Sequence, residues 1–268
     1  MTENGTERRR NVGRTVAVVS VAFLALVALQ LWWQRTEREG SERPPEVTVA
    51  PTEIEGENQR VEIGMGEPGT QQERERVRRR ELKRALDVLA SSEDVRERRS
   101  AALRVRYIVD RSAEPVLLRG LKDPDGLVAQ RCADALVALW QRSESPRASV
   151  FFQEALKAYQ GGDHERAKEL FETCARLDPS IADLYRLRAE IELEAGHPEE
   201  ARRQCARALR LKRQHFLALC VMARCLMQLR DGEGALQNVE SALNFYPGFE
   251  EARKLRDEIL SLQKAGEL

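Results

Sequence analysis

The sequence predicts an all-α protein built as a solenoid of stacked helical hairpins, and three observations predict it. The first is composition. Of 268 residues, 33% are charged and 5% aromatic, and Ala, Leu, Glu and Arg dominate, as they do in helices. The second is a gapless 34-residue period over 148–249. Ala155, Ala189 and Ala223 keep that step, as do Ala167, Ala201 and Ala235; so do Phe171, Cys205 and Val239, and Cys174, Ala208 and Ala242. A fixed period of this length marks a stacked array whose units bury their faces against one another. The third is a 33-residue step in an earlier block, 73–142, pairing Val95 with Val128, Ala102 with Ala135, Leu103 with Leu136 and Tyr107 with Trp140.

From the N-terminus, 1–14 is a short tail carrying Arg8, Arg9, Arg10 and Arg14. Residues 15–33 are nineteen in a row without a charge. As a helix they span about 29 Å, close to the hydrocarbon thickness of a bilayer. Trp32 and Trp33 suit the headgroup boundary, and the run leads into Gln-Leu-Trp-Trp, not a small-x-small cleavage site. The expectation is an uncleaved transmembrane signal anchor, single-pass in the inner (plasma) membrane. The positive-inside rule then puts the N-terminus in the cytoplasm and the C-terminal domain in the periplasm or otherwise outside. Residues 34–72 contain Pro44-Pro45, Pro51 and Pro68, and 37–73 hold ten Glu against three Arg. Low hydrophobicity with like charge predicts a flexible acidic linker.

The block 73–142 switches to helical periodicity, with Val77, Leu82, Leu86 and Leu89 as one stripe. A turn at Ser91-Ser92-Glu93-Asp94 leads to a helix with Val95, Ala102, Leu103 and Ile108 inside. Ala113-Glu114-Pro115 starts a short helix, Asp123-Pro124-Asp125-Gly126 breaks it, and 128–140 is the last helix of the block. Two hairpins are too few to stand alone, so this block is expected to stack directly on the array and extend it. Its density of Arg reads as a solvated face laced with ion pairs, with docking on anionic headgroups or on the acidic linker as the alternative.

Within each 34-residue unit two helices meet at a turn: Gly161-Gly162-Asp163, then Gly196-His197-Pro198, then Arg230-Asp231-Gly232. The alanines let two helix backbones approach, and Phe171 fills the space beside them. Pro179 and Pro247 close the first and third units, with Arg213 between them in register. Residues 250–268 supply a capping helix and tail, whose Arg253, Lys254, Arg256, Asp257 and Glu258 give a polar outer face.

The stretch FQEALKAYQGGDHERAKELFETCARLDPS carries small residues, a Gly-Asp turn, Ala-x-x-x-Phe and an Asp-Pro ending; it is similar to the tetratricopeptide repeat family. The hairpin EPVLLRGLKDPDGLVAQRCADALVAL, with its Pro-led helix and Asp-Pro-Asp turn, resembles a HEAT-type repeat, although Ala129 stands where an Arg usually follows the Val. Arg213 in place of a terminal Pro, and Cys205 and Val239 in place of an aromatic, depart from the tetratricopeptide pattern. In layout the whole chain resembles membrane-anchored bacterial tetratricopeptide proteins. The resemblance implies a right-handed superhelix whose groove is lined by the first helix of each unit. It places Phe152, Leu156 and Tyr159, then Arg186, Glu190 and Leu193, then Leu217, Cys220, Arg224 and Met227 along that groove. The row is apolar at both ends and charged in the middle, which suits a peptide or helix with apolar anchors. It does not suit the carboxylate-clamp members of the family, which need Lys and Asn where this chain has Phe152 and Leu156.

Cys132, Cys174 and Cys205 fall at packing positions and read as buried free thiols, with a bridge from Cys205 to Cys220 or Cys225 as the alternative. His164, His197 and His215 read as exposed at turns or helix starts. No nucleophile–base pair, phosphate loop, dinucleotide fingerprint or metal-ligand spacing is present, and Gly161-Gly162 has no strand before it. Formal net charge is zero, so no global field favours nucleic acid. The functional expectation is non-enzymatic and without cofactor or metal. It is a membrane-tethered interaction module (scaffold, assembly factor or chaperone-like adaptor) serving a membrane or envelope complex. The alternatives are a cytoplasmic-facing adaptor of opposite topology and a non-catalytic subunit of a membrane enzyme complex.

Overall fold

In a computed structural model, residues 70–108 and 110–268 are described. They form eleven α-helices and one 3-10 turn, with no strand among the described residues. In the first block, α1 (Gln71–Ser91) pairs with α2 (Val95–Ile108), and α3 (Glu114–Gly120) with α4 (Gly126–Trp140). In the array, α5 (Pro146–Gln160) pairs with α6 (His164–Leu177), α7 (Ala182–Glu194) with α8 (Pro198–Leu211), and α9 (Phe216–Gln228) with α10 (Gly232–Phe245). Helix α11 (Glu250–Lys264) packs on the last pair.

The starts of these helices are written in the sequence. Thr70 and Glu73 form a reciprocal capping box on α1. Asp125 caps α4, Ser145 caps α5 just ahead of Pro146, Asp163 caps α6 and Asp231 caps α10, each accepting from a first-turn N–H. The repeated alanines 155, 167, 189, 201, 223 and 235 are all fully buried, as close helix packing requires. The turns repeat as strictly. Gly162 and Gly196 have φ near +78°, and Arg230, another 34 residues on, keeps the left-handed geometry at φ 61° without being glycine. In the first block, a Cβ on Gly120 would lie 2.4 Å from Cys132 Sγ, so only glycine lets α3 sit this close to α4.

Some of the arginine of the first block is structural. Arg98 forks onto Asp123 (2.8 and 3.1 Å) and Arg99 onto Asp125 (3.0 and 2.5 Å), tying α2 to the Asp-Pro-Asp turn. Hydrogen bonds from Arg99 hold the Asp125 carboxyl down at about 2.

Two expectations are corrected here. The sequence led us to expect a membrane-anchored solenoid with its C-terminal domain outside an inner membrane. No helix among the described residues is long and apolar enough to cross a membrane, so the structure is that of a helix-only solenoid, with nothing to support a tether, an anchor or a periplasmic address. Residues 15–33 and the acidic stretch 34–69, on which that expectation rested, lie outside the described residues.

The first block was expected to extend the array on its N-terminal side. Instead α4 packs against α7, and its last residue reaches the third unit. Trp140 is 2% exposed, with its ring 4.3 Å from that of His215 and 5.6 Å from that of Phe216. The core of the first block therefore runs on into Ala182, Phe216, Leu219 and Cys220, and through them into the α9–α11 core. This explains why the 33-residue correspondence fails in burial. Tyr107, the counterpart of Trp140, is 74% exposed, and Leu103 faces solvent where Leu136 is fully buried. The second hairpin has the array to cover it and the first does not.

All five cysteines are free and buried. Burial pushes the Cys132 and Cys220 thiols up to about 12 and Cys174 up to about 11. Cys205 and Cys225 share a core cluster between α8 and α9, while Cys220 belongs to the core around Trp140.

Candidate functional site

Helix α7 lies against α9 and α9 against α11, Tyr159 of α5 reaches Glu190 of α7, and the ten residues read from the sequence as a groove lie on α5, α7 and α9. Four of the ten are not open to a partner. Phe152 is fully buried, its ring 5.8 Å from Phe171 in an edge contact within the first unit. Leu193 and Cys220 are buried, Cys220 in the core that Trp140 completes. Arg186, expected to offer its charge, keeps only 10% of its side chain exposed.

The middle of the row is a closed ion-pair network. Arg186 is bonded through Nε and Nη2 to both oxygens of Asp183, and through Nη1 to Glu190 Oε2 at 2.6 Å. Tyr159 donates to the same Glu190 oxygen at 3.1 Å, linking α5 to α7, and its ring stacks on His164. Asp183 is completely buried. Its Oδ2 accepts from Gln141 Nε2 at 2.7 Å, just past the end of α4, and its Oδ1 lies 3.2 Å from His215 Nε2. His215 caps α9 by accepting from Ala218 N–H at Nδ1, which places its proton on Nε2, facing the carboxylate.

The charges follow from this geometry. Burial alone would raise the Asp183 carboxyl, but the Arg186 guanidinium, bonded to both its oxygens, and the His215 ring beside it hold it well below the usual range. Burial would likewise lower Arg186, and the carboxylates of Asp183 and Glu190 outweigh it and raise it. For His215 burial wins over Asp183 and the ring is kept neutral. A charged cluster this deep is tolerable because each ion has its partner within hydrogen-bond reach.

The remaining positions of the row are accessible. Leu156 is half-buried at one end. At the other, Leu217 and Met227 are half-buried on α9 and Arg224 is exposed, with no ion-pair partner among the described residues. Glu190 keeps 19% of its side chain exposed between them. Two accessible apolar ends thus flank a polar middle whose charges are paired with one another.

Sequence reasoning passed over Asp183, His215, Trp140 and Gln141. The expectation that His215 is exposed is corrected: it is fully buried. The repeat register held the signal, because His215 stands 34 residues after the fully buried Ile181 and 34 before the half-buried Phe249. Trp140 carried none, since its burial depends on a surface far along the chain. Among the described residues no group of three or more His, Cys, Asp or Glu is placed to hold a metal ion.

No family model matches this chain, and no curated protein matches it. Among solved structures it is similar to the first TPR of Spaghetti (RPAP3) bound to an HSP90 peptide, with 21% identity, 45% of this chain and 96% of that chain covered, and a TM-score of 0.44. It is also similar to the Yersinia enterocolitica type III secretion chaperone SycD in complex with a peptide of the translocator YopD (18% identity, 46% and 93% covered, TM-score 0.40). A third is PilF of Pseudomonas aeruginosa (16% identity, 72% and 93% covered, TM-score 0.34).

Proposed function

We propose that this protein is a non-catalytic interaction module that takes a peptide or short helix of a partner protein along the row of first helices. The observation that carries the reading is the distribution of accessible groups on that row. Leu156 offers an apolar contact at one end, and Leu217, Met227 and the exposed Arg224 a second contact at the other. Between them Glu190 and the Tyr159 hydroxyl present polar edges fixed by Arg186. A ligand with apolar side chains at its ends and polar groups between them fits this row, with its positioning groups already ordered. Binding, not chemistry, is the reading because the buried charges of Asp183 and Arg186 are satisfied by each other and by Gln141 and Glu190, and His215 beside them is held as the cap of α9.

The test is selection of displayed random peptides on the full chain, followed by affinity measurement against Leu156→Glu and Met227→Glu. Placing a carboxylate at a half-buried apolar contact should weaken the selected peptides at least about tenfold. Circular dichroism and thermal unfolding should stay near wild type. Peptides that bind both variants as tightly as wild type would refute the assignment of the row, as would failure to select any binder.

A further inference from the structure

The docking of the first block onto the array creates a cleft of about 1190 Å³ between α3, the α8–α9 turn and α10. It lies apart from the ten residues of the row. Five cations line it against a single carboxylate, Glu114. That carboxylate is already engaged: Glu114 accepts from Trp140 Nε1 at 2.9 Å and from Lys212 Nζ at 2.5 Å, which fixes the wall of the cleft. Arg111 pairs with Glu144 at 3.3 Å. The other three cations, Arg119, Lys122 and Arg213, are exposed and have no ion-pair partner among the described residues. Apolar surface lies among them, with Leu211 40% exposed and Leu118 and Phe245 half-buried.

The basic character is local to one turn. The first unit ends Leu177-Asp178-Pro179-Ser180, and the second ends Leu211-Lys212-Arg213-Gln214 at the same register. Lys212 thus stands where an Asp does, and Arg213 where the proline of the other two units does. One of these changes braces the junction through Glu114, and the other points a free cation at the cleft. Like charge gathered around an apolar floor gives a local positive field that favours an anionic ligand with apolar side chains.

We propose that this cleft binds an acidic peptide segment of a partner protein, with apolar side chains on Leu118, Leu211 and Phe245 and carboxylates paired with Arg119, Lys122 and Arg213. The apolar floor favours a peptide over nucleic acid, whose charge lies on a sugar–phosphate backbone and whose single strands ask for aromatic stacking platforms. The inference does not rest on the row of first helices, since the two sites share no residue.

Fluorescence anisotropy on the full chain tests it with three labelled twelve-residue probes. These are a peptide of Glu and Asp with two central Leu, the same peptide with Ser for Leu, and a single-stranded RNA. The Leu-containing acidic peptide should bind, and weaken as salt rises. It should lose at least about tenfold in affinity in the triple variant Arg119→Glu/Lys122→Glu/Arg213→Glu, and about threefold or more in Leu211→Ser. The control variant Arg147→Glu/Lys157→Glu/Arg166→Glu, with the same charge change outside the cleft, should bind as wild type. Equal loss in both triple variants would reduce the effect to net charge and overturn the site. Equal binding of the Ser peptide would overturn the role of the apolar floor. RNA binding as tight as the Leu peptide's, or no binding of that peptide at low salt, would overturn the proposal itself.

Discussion

Trp140→Ala tests the central packing claim, that the first block is fastened across the array. The indole is almost fully buried between His215 and Phe216, and its N–H is spent on Glu114. A buried tryptophan removes roughly 200 Å² from water. At about 25 cal/mol per Å² that is ~5 kcal/mol as an upper bound. Glu114 keeps Lys212 as a partner, so losing the indole donor adds only about 1 kcal/mol, and partial collapse of the cavity recovers some of the total. The expected cost is about 3–5 kcal/mol. Denaturant unfolding followed by far-UV circular dichroism reads it as a lower midpoint. Trp140→Phe separates the contributions, because it keeps an aromatic ring and removes the donor, and should cost about 1–2 kcal/mol. A Trp140→Ala cost below about 1 kcal/mol would mean that the ring does not join the block to the third unit, and the junction described above would be wrong.

Asp183→Asn leaves Arg186 buried with one countercharge fewer and should lower stability by about 3 kcal/mol. Asp183→Asn/Arg186→Met should recover much of that loss in the same denaturation assay. Burial lowers the pKa of His215 in the folded protein. Unfolded chains therefore take up its proton first as pH falls; the stability due to a neutral ring is complete above about pH 6.5 and declines as pH drops toward the folded pKa. His215→Asn, which keeps a capping side chain, should flatten that part of the profile of unfolding midpoint against pH. Gly196→Ala puts a Cβ on a left-handed turn residue and should cost about 1 kcal/mol. Arg230→Gly relieves that geometry at the equivalent turn and should cost less than Gly196→Ala when both are compared by thermal melting, although it gives up the Arg230 hydrogen bond to the Glu267 carbonyl.

The array was legible because its information is local and periodic. Ala155 and Ala167 announce a close helix pair at any point in the chain, and Asp163 and Asp231 announce a helix start, whatever lies beyond the neighbouring unit. The candidate row was less legible, since accessibility is set by what packs over a residue. Phe152 and Leu156 are four apart on one helix, and only the second is accessible. Arg186 reads as a free charge until Asp183, three residues earlier, is seen beneath it. That the first block packs on the array was legible, but where it docks was not. Trp140 and Phe216 meet across 76 positions, a span that no helical period or 34-residue register encodes.

That span also bears on mechanics. A chain of repeats linked only to nearest neighbours behaves as a spring, flexing by small rotations that accumulate from unit to unit. Here the segment ending at Trp140 rests on the second unit and is pinned to the third as well, so the stretch from α4 to α9 is a closed loop of packed elements. Twisting the first-helix row about the second unit then means pulling an aromatic ring from its seat or breaking the Gln141–Asp183 bond. The α4–α9 stretch should therefore resist extension as a strut does, while α11, outside the loop, keeps the compliance of an ordinary end repeat.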